Sequence, residues 1–173
     1  MLEHLKLLAS YNEWMNLKIY AATARLSQDE LTTNRRAFFG SLLGTLNHLV
    51  VGDRLWLHRF SSHPNRHPGL EAIRALPVPM TLDQILFEDL RELEEHQKWL
   101  DALIIEWISQ LTEEDLGHRL RYTNSRGVTS VKLFASLLLH FFNHQTHHRG
   151  QVHAMLTQAG GKPGDTDLFL LPE

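Results

Sequence analysis

The stretch His140-Phe141-Phe142-Asn143-His144-Gln145-Thr146-His147-His148-Arg149-Gly150-Gln151 decides how this chain is read. It places four of the chain's twelve histidines within nine residues, inside a long helical pattern. At helical pitch, Leu133, Leu137, Phe141, His148, Gln151 and Met155 fall within about 60° of His144. His144 and His148 therefore continue an apolar stripe and are expected to face the interior. His140 and His147 lie on the flank of that stripe, and His153 lies on the opposite, surface side. Two imidazoles at i and i+4 on one face can converge on a single metal ion. By spacing alone His140/His144 fits as well as His144/His148.

Working outward, this helix is expected to begin after Thr129 or Ser130 and to end in a left-handed cap at Gly160-Gly161. An apolar tail, Leu168-Phe169-Leu170-Leu171, should dock on the bundle or on a second subunit. Before the helix, residues 118–128 alternate around an Asn124-Ser125-Arg126-Gly127 turn, which predicts a small hairpin or extended loop. Thr112-Glu113-Glu114-Asp115 reads as a short helical turn.

Three further long helices are expected. In the first, Leu5, Leu8, Met15, Ile19, Ala22 and Leu26 share one face, and Ser27-Gln28-Asp29-Glu30 marks its end. The second should run from about Arg36 to Phe60, with Phe38, Leu42, Leu49 and Trp56 inward. His48 sits at the edge of that face, between Thr45 and Gly52, and is the best candidate for a third ligand from across the bundle. The third should start at Thr81, with Gln84 completing a capping box, and hold Leu86, Leu90, Leu93, Leu100, Ile104 and Trp107 inward. Between the second and third lies a long Pro-rich loop holding Pro64, Pro68, Pro77 and Pro79, four of the six prolines. Its His63 and His67 are expected at the surface. Asp53 is expected either to pair with an arginine such as Arg149 at the bundle edge or to orient a ligand imidazole.

The pattern predicts an all-α chain, a four-helix bundle forming one domain over residues 1–173. A net charge of −3 without a basic stripe argues against nucleic acid as a partner. No apolar run is long enough to span a bilayer, and the start lacks a signal-peptide pattern. A soluble cytoplasmic protein is expected. Cysteine is absent, so disulfides, thiolate ligands and a thiol nucleophile from the chain itself are excluded.

Three segments together resemble the DinB family of damage-inducible, YfiT-like helical proteins, which is distinct from the DNA polymerase sharing the letters. They are Tyr11-Asn12-Glu13-Trp14-Met15-Asn16, the run from Gly40 through Asn47-His48 to Asp53 and Trp56, and Phe142-Asn143-His144 through His147-His148-Arg149-Gly150-Gln151. The resemblance implies a four-helix bundle, commonly a homodimer, holding a divalent metal through His48, His144 and His148. It thereby selects His144/His148 over His140/His144. Three neutral imidazoles suit zinc or nickel. The resemblance further implies a metal-dependent enzyme acting on a small molecule, of the hydrolase or thiol-transferase type. In the latter case a low-molecular-weight thiol arrives as cosubstrate. Tyr11, Asn12, Tyr122 and Asp53 are candidate site-lining groups, and no general base is identified. The alternative is a non-catalytic metal-binding stress-response protein. A fourth protein ligand such as His140 or His147 would favour that alternative.

Overall fold

The first apolar stripe forms helix α1 (Leu2–Thr23), which buries Leu5, Met15 and Ile19. The computed structural model describes residues 1–172. Ser27 then caps a short helix α2 (Gln28–Thr32). Its hydroxyl accepts from the Glu30 N–H, and the Glu30 carboxylate accepts from the Ser27 N–H.

Helix α3 (Leu42–Phe60) starts later than its hydrophobic pattern predicts. Arg36 and Gly40 have φ of 59° and 75°, in the left-handed region that ends regular structure. The Arg35 N–H donates to Gly40 O at 2.7 Å and closes a tight turn there. Ser41 then caps α3, accepting from the Gly44 N–H at 3.1 Å. Phe38, expected on the inner face of this helix, is instead 86% exposed on the turn.

The Pro-rich stretch contains a 3-10 turn (Pro68–Leu70) and a one-turn helix α4 (Glu71–Arg74). The helix expected from Thr81 does not form there. Helix α5 (Leu90–Ser109) begins at Asp89, whose Oδ1 accepts from the N–H groups of Arg91 and Glu92 at 2.7 and 3.1 Å. The reason is a competing partner for the backbone. Buried Asn47 on α3 accepts from the N–H groups of Leu86 and Phe87 at 2.8 and 3.0 Å and donates to Phe87 O at 3.0 Å. One side-chain amide thus takes the backbone groups a helix would need. Gln84 accepts from the Met80 N–H at 2.8 Å rather than completing a box with Thr81. Residues 80–89 consequently run as an irregular strap over α3.

Helix α6 (Glu113–Gly117) follows, with a capping box between Thr112 and Asp115. The expected hairpin pairs β1 (Arg119–Thr123) with β2 (Thr129–Leu133) in antiparallel register, Arg121 opposite Val131. Gly127, at φ 76°, and Asn124, whose Oδ1 accepts from the N–H groups of Arg126 and Val128, make its turn. Thr129 and Ser130, the expected caps of the last helix, are therefore strand residues. Helix α7 (Phe134–Gln158) starts after Leu133. It ends as predicted, with Gly160 at φ 79° and the Gly161 N–H returning to Leu156 O at 2.8 Å.

Among the described residues the result is a mainly helical chain with one two-stranded sheet. The four long helices share one core. α1 packs on α5 and α7, and α3 packs on α7 and α5. Phe60, Trp107, Phe134 and Phe141 fill its centre. The tail runs along α1, where Tyr11 and Lys18 donate to the carbonyls of Thr166 and Asp165. Its Phe169 points outward, 83% exposed. Among the described residues no helix is long and apolar enough to cross a membrane.

Candidate metal centre

α3 and α7 pack side by side, and the contact brings His48 against His144 and His148. The Nε2 atom of His48 lies 3.2 Å from Nε2 of His144 and 3.2 Å from Nε2 of His148. His48 is buried, whereas His144 and His148 are half-buried. The two α7 imidazoles thus face a partly open side of the helix pair, not the closed interior that the apolar stripe predicts. Gly52, one turn beyond His48, makes room. A Cβ at that position would stand 2.8 Å from His144 Cε1. Phe39, carried back by the Arg36–Gly40 turn, stacks on the His48 ring at 3.7 Å between centroids.

The outer nitrogens set the tautomers. His48 Nδ1–H donates to the carbonyl of Leu82 in the strap at 2.7 Å. His148 Nδ1–H donates to Gln151 Oε1 at 2.8 Å. Each Nε2 then carries a lone pair, and the two lone pairs face each other with no proton between them. Burial pushes the imidazoles toward the neutral form, His48 down to about 4 and His144 down to about 3, with His148 also lowered. Proximity of the rings to one another adds to the effect. Three neutral imidazoles with convergent nitrogens are a donor set for a borderline transition ion. The 3.2 Å edges match the roughly 3.0–3.4 Å between nitrogens that are each about 2.1 Å from one ion. The residues therefore fit the metal that the resemblance implies.

His140 and His147 do not join this group. The His140 ring lies 6.1 Å from that of His144 and packs edge-on against Trp56 at 5.0 Å. His147 is linked through Gln151, whose Nε2 donates to His147 Nε2 at 3.2 Å. Gln151 thus bridges His148 and His147. A cleft of about 400 Å³ includes Leu82 and His58, and one of about 590 Å³ includes His140 and Asn143.

Asp53 departs from both roles expected of it. It is fully buried, and it accepts from Gln97 Nε2 at 3.1 Å and from Gln145 Nε2. Asp101 on α5, which the sequence pattern did not single out, accepts from Asn12, Asn16 and Gln97 at 2.9–3.2 Å. Arg149 donates to the side-chain carbonyls of Asn12 and Asn16. Burial raises both carboxyls, Asp101 to about 7. Burial also lowers Arg149 to about 10, which leaves it a cation at neutral pH. Asn12 therefore belongs to this closed network rather than to the histidine site. Tyr11 points to the tail, and Tyr122 packs on Trp56 at 5.4 Å. His63 and His67, expected at the surface, are 2% and 6% exposed.

A mainly helical chain with three converging imidazoles on two of its helices is a candidate metal-binding protein. It belongs to the DinB family, whose model matches residues 1–173. It is similar to the protein named Protein DinB of Bacillus subtilis (strain 168), with 29% identity over 164 residues. That match covers 94% of this chain and 90% of the relative. No solved structure matches.

Proposed function

We propose that the chain is a single-domain DinB-type four-helix bundle in which His48, His144 and His148 hold one divalent ion, zinc or nickel. On this reading it is a metal-dependent enzyme acting on a small molecule by hydrolysis or thiol transfer. The observation that carries the reading is the pair of proton-free Nε2 atoms on His48 and His148, held 3.2 Å apart. Without a cation such an arrangement is repulsive. A bound divalent ion with an open coordination position lowers the pKa of a water or thiol held there.

The chain's own residues do the positioning. The Leu82 carbonyl and Gln151 Oε1 hold the outer protons of His48 and His148, so the inner nitrogens stay free. Phe39 covers one face of His48 and keeps water from that side. Among the described residues only three ligand side chains converge there, as at catalytic rather than closed structural sites, which normally have four protein ligands. The chain has no cysteine, so a reacting thiol enters from outside. We place the protein in the cytoplasm as a homodimer. The outward Phe169 of the tail supports a dimer contact.

The test is elemental analysis of tag-free protein beside His48→Ala and His144→Ala. The parent should retain about one transition ion per chain more than either variant. Full occupancy in both variants would refute the assignment. Turnover of thiol acceptors or small esters by the metal-loaded parent then distinguishes the two reaction classes.

A further inference from the structure

A second group of donors lies at the other end of α3. His63 follows Phe60, which is about 18 Å along the helix axis from His48 at 1.5 Å per residue. The side chains of His63, His67 and Asp115 are 3%, 7% and 3% exposed. Two segments distant in sequence supply them: the Pro-rich loop after α3, which carries His63 and His67, and α6, which carries Asp115.

The two oxygens of Asp115 have different tasks. Oδ2 caps α6, accepting from the Thr112 N–H and hydroxyl at 2.8 Å each. Oδ1 accepts from Asn65 Nδ2 and faces His63 Nδ1 at 3.9 Å and His67 Nε2 at 3.8 Å. Both separations are too long for hydrogen bonds. The Asn65 N–H donates to His63 Nδ1 at 3.3 Å, and His63 Nε2 faces the Asp115 backbone carbonyl at 3.4 Å. The single lone pair of His63 Nδ1 is therefore engaged by the Asn65 N–H in a long hydrogen bond, which a bound ion would replace. His67 Nε2 is buried and, among the described residues, has no hydrogen-bond partner. A buried polar atom in that condition is destabilising unless something pairs with it. Burial holds both imidazoles below the usual histidine range, so they are neutral donors.

We infer that His63 Nδ1, His67 Nε2 and Asp115 Oδ1 form a second divalent-metal site of the zinc type, with three protein ligands. Two imidazoles and a carboxylate are a common zinc donor set. The three atoms lie within 4.8 Å of one another. A tetrahedral ion would draw the 3.8 and 3.9 Å edges in to about 3.4 Å, a movement that small side-chain rotations supply. The ion would tie the Pro-rich loop to α6. Next to α6, the His118 carbonyl accepts the first N–H of α7 at 2.8 Å. The inference uses no atom of the His48 site and stands or falls independently of it.

The experiment uses the full-length, tag-free chain with both α7 ligands removed, His144→Ala/His148→Ala. After dialysis against zinc chloride and buffer, the parent should hold about two zinc ions and the double variant about one. Zinc should also raise the melting temperature of the double variant. Adding His67→Gln should cut its zinc affinity by at least about tenfold and remove that thermal shift. Circular dichroism checks that this triple variant is still helical. Cobalt(II) titration of the double variant itself needs no further substitution and should give the intense visible bands of a tetrahedral site. A double variant that binds no zinc overturns the inference. So does zinc binding unchanged by His67→Gln, or a weak octahedral cobalt spectrum. Equal zinc in parent and double variant would count against the His48 site instead.

Discussion

Helix α7 carries two polar stripes one residue apart, and their chemistry is opposite. His48 and His148 meet through nitrogens that have lone pairs and no proton between them, with His144 Nε2 3.2 Å from that of His48. Gln145 and Arg149, about 100° further round the helix, meet Asp53, Asn12 and Asn16 through donors aimed at acceptors. The second stripe is satisfied from within the chain, apart from Gln145 Oε1. The first leaves the facing Nε2 lone pairs of His48 and His148 without a proton between them and His144 Nδ1 without a partner among the described residues. Burial of polar groups therefore does not by itself mark a functional site. A mismatch between donors and acceptors does, because a fold selected for stability alone has no reason to retain it.

If the stripes are separable, each should fail alone. The largest effect is expected from Asp101→Ala, which strips an acceptor from Asn12, Asn16 and Gln97 and removes the carboxyl group that most favours the buried Arg149 cation. Urea unfolding should show a loss of about 3 kcal/mol, while the protein that remains folded binds metal as the parent does. Loss of metal from the folded fraction would show that the stripes are one unit. Gly52→Ala should do the reverse. The new Cβ displaces the His144 ring, so metal affinity by competitive chelation should drop about 10–100-fold. Stability should change by less than about 1 kcal/mol, because only a side chain has to move. An unchanged affinity would mean that His144 is free to bind from another rotamer.

A third effect is in pH. Asp101 titrates near 7 in the fold and near 3.9 in the unfolded chain. Between those values the folded state holds the extra proton. Asp101 therefore adds stability as pH falls through 7, and that contribution is lost as pH rises. The melting temperature of the parent, relative to Asp101→Asn, should increase between pH 7.5 and pH 5. A flat difference would mean that Asp101 stays ionised.

Periodicity made the long helices legible because apolar residues recur at helical spacing, and it put His144 and His148 on one stripe of α7. It could not separate the two histidine pairs on α7, since both are four residues apart, and only the family resemblance chose between them. The late start of α5 was hidden because Thr81 and Gln84 satisfy a local capping signature, while the decisive partner, Asn47, is far away in sequence. His63 and His67 were misplaced for a related reason. Their surroundings are supplied by Asp115, about fifty positions on, and a proline-rich context gives no sign of burial. Asp101 was invisible because a lone aspartate on the inner side of a helix looks like any other until its amide partners are in place.

The strap over α3 sets which changes the chain can tolerate there. His48 is fixed by the carbonyl of Leu82, not by its side chain, and the Leu86 and Phe87 anchors are likewise backbone groups. Side chains at 82 and 86 can be exchanged without touching those bonds. Adding or deleting one residue between 82 and 86 cannot, because the spacing between the carbonyl over His48 and the anchors on Asn47 would slip. This segment is therefore free in spelling but fixed in length.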